Sequence, residues 1–200
     1  MLKSKNKFLS AAGGKKSLEP LLTRRRLLKL GALAAVGGIL PRSAFGNSNS
    51  TAKPERSLGF YNTHTGERLQ ATYWEKGNYI AESLTDINHI LRDHRTNEVE
   101  NIDTELLDLL FALQNELDFR QPFHVISGYR SGRTNATLRT NNSGVARKSL
   151  HVLGKAIDIR TPGRDLRSLR SAAVGLKAGG VGYYAKSDFV HVDVGRVRYW

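Results

Sequence analysis

The chain has 200 residues, with 31 lysines and arginines, 18 aspartates and glutamates, and no cysteine. This length suffices for one domain with a sizeable core. The absence of cysteine excludes disulfides, a thiolate metal site and a cysteine nucleophile. The formal charge of +13 suggests nucleic-acid binding at first, but residues 1–46 contain ten basic residues and one acidic residue. The remainder is only modestly basic, and we expect no nucleic-acid partner.

Residues 1–46 have the three parts of an export signal. A basic stretch ends at residues 23–29, an apolar run follows over 30–40, and small residues at 43–46 suit a cleavage site. The arginines followed by two leucines and a lysine resemble a twin-arginine signal. The apolar run is short and glycine-rich, which disfavours a permanent span. We expect export by the twin-arginine pathway to the periplasm or cell surface, with only transient membrane contact through the signal; the alternative is a disordered basic tail.

Beyond the signal, residues 47–57 are predicted to form a polar linker and residues 58–200 the folded domain. Residues 58–74 are predicted to form a hairpin. The other predicted elements are helices over 78–92, 103–117 and 165–176, a long loop over 132–149, and strands over 123–127, 155–160, 181–184 and 189–194. Together they predict an α+β domain, a small antiparallel sheet with helices packed on one side.

Two short segments contain the side chains of a candidate metal site. Residues 155–160 and 190–194 both alternate, which places Asp158 and His191 opposite the aliphatic neighbours on each strand. His151 lies just upstream, separated from the first strand by a glycine that permits a sharp turn. Two imidazoles and a carboxylate are the ligand set of a mononuclear zinc hydrolase, which leaves one position open for water. The alternative is that these are ordinary polar residues on the solvent faces of two half-buried strands.

Three separated blocks of the sequence resemble one group of enzymes. They are Ser149-x-His151-x-x-Gly154-x-Ala156-x-Asp158, the segment 127–131 with the region of Asn135, and the segment 189–200 that contains His191. The first block, with His191, is similar to zinc peptidases that include D-Ala-D-Ala carboxypeptidases, dipeptidases and lysostaphin-like enzymes. All three resemble more closely the MepK/YcbK-like murein endopeptidases, over roughly residues 58–200.

The resemblance implies a hedgehog or D-Ala-D-Ala-peptidase-like α+β fold and one Zn²⁺ per chain, bound by His151, Asp158 and His191. It implies that the enzyme hydrolyses an amide bond in the peptide cross-links of peptidoglycan, with the stem peptides as its binding partner. We expect a monomer that acts in remodelling the cell wall.

Four further residues receive roles from the same resemblance. Arg130 is expected to bind a substrate carboxylate, for which the guanidinium fork is suited. Ser149 is expected to hydrogen-bond substrate or a zinc ligand. Asp188, three positions before the last histidine, is the preferred general base. Asp193 is its rival, either as the base or as a carboxylate that orients the imidazole of His191.

Two alternative functions remain open from the sequence. A D-Ala carboxypeptidase or dipeptidase acting on stem peptides would use the same residues and differ in how far the cleft is open at each end. A non-catalytic, zinc-stabilised domain that binds the cell wall would keep the ligands, while the base and Arg130 would be expendable. In the endopeptidase as in the carboxypeptidase or dipeptidase, Tyr183 or Tyr184 is expected to line the cleft.

Overall fold

The computed structural model describes residues 55–141 and 144–200. The predicted signal over 1–46 and residues 47–54 of the predicted linker lie outside the described residues. The first strand begins at Glu55, within the last three residues of the segment predicted as a linker. Within the described part of the chain, no helix is both long and apolar enough to cross a membrane.

One mixed sheet organises the described residues. Its strands are β1 (Glu55–Asn62), β2 (Arg68–Glu75), β3 (Asn78–Tyr79), β4 (Phe123–Ser127), β5 (Ala156–Arg160), β6 (Gly180–Tyr184), β7 (Phe189–Asp193) and β8 (Arg198–Tyr199). Their order across the sheet is β3-β2-β1-β4-β5-β7-β6-β8. The predicted hairpin (β1 and β2) and the strands at 123–127, 155–160, 181–184 and 189–194 are all present.

The prediction of a small antiparallel sheet is corrected in two respects. The sheet is larger, and it contains two parallel pairs, β1 with β4 and β6 with β8. Two helices separate β1–β3 from β4, and a crossover of this length permits the parallel arrangement that a tight turn forbids. The α+β class itself is confirmed.

Four helices accompany the sheet: α1 (Ala81–Ile90), α2 (Thr104–Glu116), α3 (Gly132–Asn141) and α4 (Leu166–Leu176). Asp103 caps α2 by accepting a hydrogen bond from the Glu105 amide at 2.9 Å. Helix α1 contacts β2, α2 contacts β1 and α4, and α4 contacts β6 and β7. Their apolar faces and the sheet share one hydrophobic core that includes Phe60, Tyr73, Leu110, Ile157 and Val192.

Helix α3 corrects the predicted loop over 132–149. Its buried residues are Thr134 and Asn135, both polar, so the sequence lacks the apolar stripe by which a helix is recognised. The missed signal is Ser131, whose hydroxyl accepts a hydrogen bond from the Thr134 amide at 3.2 Å, as an N-terminal capping residue does. Residues 144–149 consist of turns and a bend and belong to no helix or strand.

Candidate metal centre and active site

Strands β5 and β7 are antiparallel neighbours, and their register places Asp158 directly opposite His191. Because side chains alternate along each strand, Ile157 and Val192 point into the core while Asp158 and His191 point to the other face. The predicted convergence of these two strands is therefore present.

His151 reaches the same point from a short 3-10 turn over Leu150–Leu153. Gly154 ends this turn in the left-handed region, with φ of 65°, and a Cβ there would overlap the Asn101 carbonyl oxygen. A glycine is therefore required both for the backbone conformation and for the space. Because of this turn, a single segment places His151 at the site and then continues into β5, which contains Asp158.

The ligand atoms of the three side chains converge on one point. His191 Nδ1 lies 2.8 Å from Asp158 Oδ1, and His151 Nε2 lies 3.3 Å from the same oxygen. The two ring nitrogens lie 3.2 Å apart. All three residues are buried, and one potential ligand atom from each lies within 4.8 Å of the others. The three groups therefore form a candidate site for a single metal ion.

Hydrogen bonds on the outer side of each ring determine which nitrogen is free. His151 Nδ1 donates to the Gly128 carbonyl oxygen at 2.7 Å. His191 Nε2 donates to Asp193 Oδ2 at 3.0 Å. In the neutral rings, His151 Nε2 and His191 Nδ1 consequently retain their lone pairs, and both face Asp158. Three acceptors directed at one point repel one another unless a cation lies between them.

The electrostatics of the site agree with this arrangement. Burial works to raise the pKa of Asp158, but His151 and His191 outweigh burial and hold that pKa well below its usual range. Burial works to lower the pKa of His191, but hydrogen bonds to Asp158 and Asp193 raise it to about 8. In the absence of a metal, the protonated His191 ring therefore lies between two carboxylates, with Nδ1 donating to Asp158 and Nε2 donating to Asp193.

Asp193 is fully buried and surrounded by donors. Its Oδ1 accepts hydrogen bonds from the Gly180 and Gly195 amides at 3.0 and 2.9 Å. Arg198 donates to both oxygens, at 3.1 and 2.7 Å. Burial opposes ionisation, yet the His191 and Arg198 contacts and the two amides hold the pKa of Asp193 well below its usual range. These contacts favour the ionised form of Asp193, which accepts a hydrogen bond from His191.

The candidate metal centre lies in a cleft of about 520 Å³. Tyr184, Phe189 and Trp200 line one side: Tyr184 stacks on Phe189 with ring centroids 4.6 Å apart, and Trp200 Nε1 donates to the Tyr184 hydroxyl at 2.9 Å. The Trp200 ring lies 5.3 Å from that of His191. Arg130 and residues 144–150 contribute most of the remaining lining. The cleft is therefore aromatic on one side and polar on the other.

Arg130, which the sequence predicts to bind a substrate carboxylate, lies in the cleft beside Asp158. Its guanidinium donates to Ser127 Oγ at 3.3 Å and approaches Asp158 Oδ2 at 3.5 Å. Its Nε is buried and has no hydrogen-bond partner. Burial lowers the pKa of Arg130 from its ordinary value, with Asp158 opposing that shift. Arg130 thus lines the cleft with a largely buried positive charge.

The two candidate bases and Ser149 lie in different environments. Ser149 lines the cleft at the start of the 3-10 turn. Asp188 is exposed and accepts a hydrogen bond from Arg160 at 2.8 Å, while its neighbours Ser187 and Phe189 line the cleft. Asp193 lies behind His191 rather than in the cleft, so the structure brings it to the histidine and not to the space that a substrate would occupy.

Sequence reasoning missed Trp200 and Arg198, both of which line the cleft. They come after the last predicted strand, in a segment too short to show periodicity. The glycine at position 182 is the one feature of the sequence that indicated a close neighbour, because a glycine inside a strand often marks the close approach of another group. In the structure a Cβ there would lie 2.6 Å from the Trp200 ring. Of the two tyrosines predicted to line the cleft, Tyr184 does so, whereas Tyr183 packs against the core.

The α+β fold, the candidate His–Asp–His metal site and the family match together define the class of this protein as a metallopeptidase. The family described as peptidoglycan L,D-endopeptidase MepK matches residues 49–200, and the chain belongs to this family. The protein named peptidoglycan L,D-endopeptidase MepK in Escherichia coli K12 is 46% identical over 177 residues, which cover 88% of this chain and 96% of that protein. The Haemophilus influenzae protein named "Probable peptidoglycan L,D-endopeptidase MepK" is 42% identical over 178 residues, covering 88% and 95%.

Proposed function

We propose that this protein is a zinc-dependent peptidoglycan endopeptidase that hydrolyses L,D-peptide bonds, those joining an L-configured to a D-configured centre, in murein cross-links. The single observation that supports this most strongly is the convergence of His151, Asp158 and His191 in a cleft of a chain from this family. The names of the relatives supply the bond type.

Zinc fits the residues present. Zinc bound tetrahedrally at about 2.0–2.1 Å keeps its ligand atoms roughly 3.3 Å apart. The three separations here are 2.8, 3.2 and 3.3 Å. Two neutral imidazoles and one carboxylate give the net charge of a catalytic zinc site, and the cleft leaves an open side for substrate. Both histidines have the outer hydrogen-bond partners that such ligands use.

When bound, zinc supplies Lewis-acid polarisation of a carbonyl and activation of water. The chain's own residues supply recognition and proton transfer. Arg130 is suited to bind a stem-peptide carboxylate, because its guanidinium lines the cleft and lies 3.5 Å from Asp158, one of the proposed ligands. Ser149, at the mouth of the turn that holds His151, is suited to hydrogen-bond the peptide backbone.

For proton transfer we propose Asp188 as general base and Asp193 as the residue that orients His191. Five hydrogen bonds and complete burial leave Asp193 neither a free lone pair nor a path to substrate. Asp188 is solvent-accessible and has a single ion-pair partner, Arg160, on the strand that contains Asp158. Its release from Arg160 would free a carboxylate next to two cleft-lining residues.

The cellular setting follows from the substrate. A peptidoglycan peptidase works outside the cytoplasm, and we propose that residues 1–46 direct export to the periplasm or cell surface by the twin-arginine route. That route transports folded proteins, so the metal would be inserted before export. We propose that the protein acts as a monomer on stem peptides.

Digestion of defined muropeptides tests the proposal. The purified protein should convert dimers joined by an L,D bond to monomers, and a chelator should stop the reaction. Dimers joined by a D,D bond serve as the matched control and should remain intact. Release of terminal D-Ala without dimer cleavage would show that the protein is a carboxypeptidase and not an endopeptidase. If zinc-loaded protein binds murein and cleaves no bond, the non-catalytic wall-binding function is correct.

A further inference from the structure

Acidic and basic residues are distributed unevenly along the described part of the sequence. Residues 55–118 contain 13 acidic and five basic residues. Residues 119–157 contain seven basic residues and no acidic residue at all. A run of 39 residues without one carboxylate concentrates positive potential on whatever surface it forms.

Part of this run lines the cleft, namely Arg130 and several residues between 144 and 151. We call helix α3 together with residues 144–148 the cationic wall. Ala146 and Lys148 line the cleft, and the Asn135 side chain links the two parts of the wall by donating to the Ala146 carbonyl oxygen at 3.2 Å. Because only Thr134 and Asn135 of α3 are buried, most of the helix surface faces solvent.

The cations of the wall lack internal counter-charges. Arg139, Arg147 and Lys148 are exposed, and none forms an ion pair with a described residue. Arg133 has one acidic neighbour, Glu98, at 3.9 Å, the limit of an ion pair. Lys148 lines the cleft and the arginines belong to the segments that adjoin it, and uncompensated charges beside a cleft attract and hold an extended polyanion.

We propose that the cationic wall binds free carboxylates of stem peptides next to the one being cut, so that the enzyme prefers polymeric, carboxylate-bearing peptidoglycan to isolated muropeptides. This rests on the proposed function and extends its site beyond the reacting bond. The wall is continuous with the cleft, so a strand bound along it leads toward the metal centre. Peptidoglycan fits because it presents carboxylates at repeated intervals along a polymer that must enter this cleft.

The test compares two double variants of the zinc-loaded protein. Arg139→Gln/Arg147→Gln removes two wall charges, and Arg120→Gln/Arg167→Gln removes two exposed charges outside the wall as a matched control. The described residues from 55 onward have their own hydrophobic core, so the fragment 49–200 is used, which avoids the basic segment at residues 1–46. Sedimentation with sacculi on ice, at 50 and 300 mM NaCl, measures binding, and kcat/KM is measured on sacculi and on a soluble dimer.

We expect wild-type and control proteins to bind sacculi in a salt-sensitive way, and the wall variant to bind several-fold more weakly with less salt dependence. Its kcat/KM should fall about fivefold to tenfold further on sacculi than on the soluble dimer. Sacculi whose carboxylates have been amidated should bind the wild type as weakly as untreated sacculi bind the wall variant.

Wall-variant binding equal to that of the control, or unchanged binding to amidated sacculi, would overturn the proposal. Tighter binding to anionic phospholipid vesicles or to DNA than to sacculi would also overturn it. Failure of the endopeptidase function is distinguished by the soluble dimer, because an inactive enzyme leaves that substrate intact whatever the wall binds.

Discussion

Asp193 accepts the Nε2 hydrogen of His191 at 3.0 Å, and this contact leaves His191 Nδ1 directed at Asp158. In His151 the roles of the two nitrogens are exchanged: Nδ1 donates to the Gly128 carbonyl oxygen, and Nε2 faces Asp158. The two rings thus offer different nitrogens to one point, each held by an acceptor outside the site. Preorganisation of this kind lowers the cost of binding a metal ion.

Metal content depends on the three converging side chains. The purified protein should contain about one zinc per chain, and His151→Ala or His191→Ala should abolish it, because two remaining ligands do not retain the ion. Elemental analysis after gel filtration measures this. The control His124→Ala removes a histidine on β4 that is not one of the three converging residues and should keep full zinc. Stoichiometric metal in the His151 and His191 variants would contradict the site.

The Asp193 contact predicts a separate effect on affinity and stability. Asp193→Asn replaces two carboxylate oxygens, both acceptors, by one amide oxygen and one amide NH₂ donor. Arg198 therefore loses its ion pair, and His191 loses the acceptor that fixes its orientation. We expect zinc affinity to fall about 10–100-fold and unfolding free energy to fall by about 2 kcal/mol, a figure reduced because Arg198 is partly solvated. Competition with a chelating dye and urea unfolding measure the two quantities. Wild-type zinc affinity in this variant would show that the contact does not position the ligand.

The sequence predicts those parts of the fold that leave a periodic pattern. The alternation around Asp158 and His191 predicted their shared face, and the apolar spacing of α2 and α4 predicted both helices. Helix α3 has no such pattern, because its buried side chains are polar. Trp200 and Arg198 reach the site through the pairing of β8 with β6, a contact between sequence-distant segments that no local spacing encodes.

The raised pKa of His191 predicts a pH-dependent stability of the metal-free protein. Its folded pKa of about 8 exceeds the ordinary 6.5, so the protonated ring stabilises the fold fully below pH 6.5. This contribution is lost as pH rises through about 8, and a shift of this size corresponds to about 2 kcal/mol. Urea unfolding of the chelated protein at pH 6.5 and 8.5 should show the decrease, and His191→Gln should remove it. Zinc binding should tighten with rising pH over the same range, since the ion displaces this proton.

Arg130 predicts a loss of substrate recognition without loss of metal. Arg130→Lys retains the charge but loses the planar fork, so a carboxylate can no longer be held by two parallel hydrogen bonds. We expect kcat/KM on an L,D-linked dimer to fall about 10–100-fold, with zinc content unchanged. A dimer with amidated stem carboxylates is the control substrate, on which the two enzymes should differ little. An equal loss on both substrates would assign Arg130 to the support of Asp158 instead.

Asp188 and Asp193 predict opposite outcomes when each is replaced by asparagine. Asp188 is exposed and paired only with Arg160, so Asp188→Asn should keep stability and zinc content at wild-type levels. If Asp188 accepts the proton of the attacking water, kcat should fall about 10²–10⁴-fold and the acidic limb of the pH–rate profile should disappear. Arg160→Gln is the matched control, because it removes the ion pair and leaves the carboxylate in place. An Asp188→Asn enzyme with wild-type turnover would exclude this residue as the base, and the buried, fully hydrogen-bonded state of Asp193 would then direct the search to another group lining the cleft.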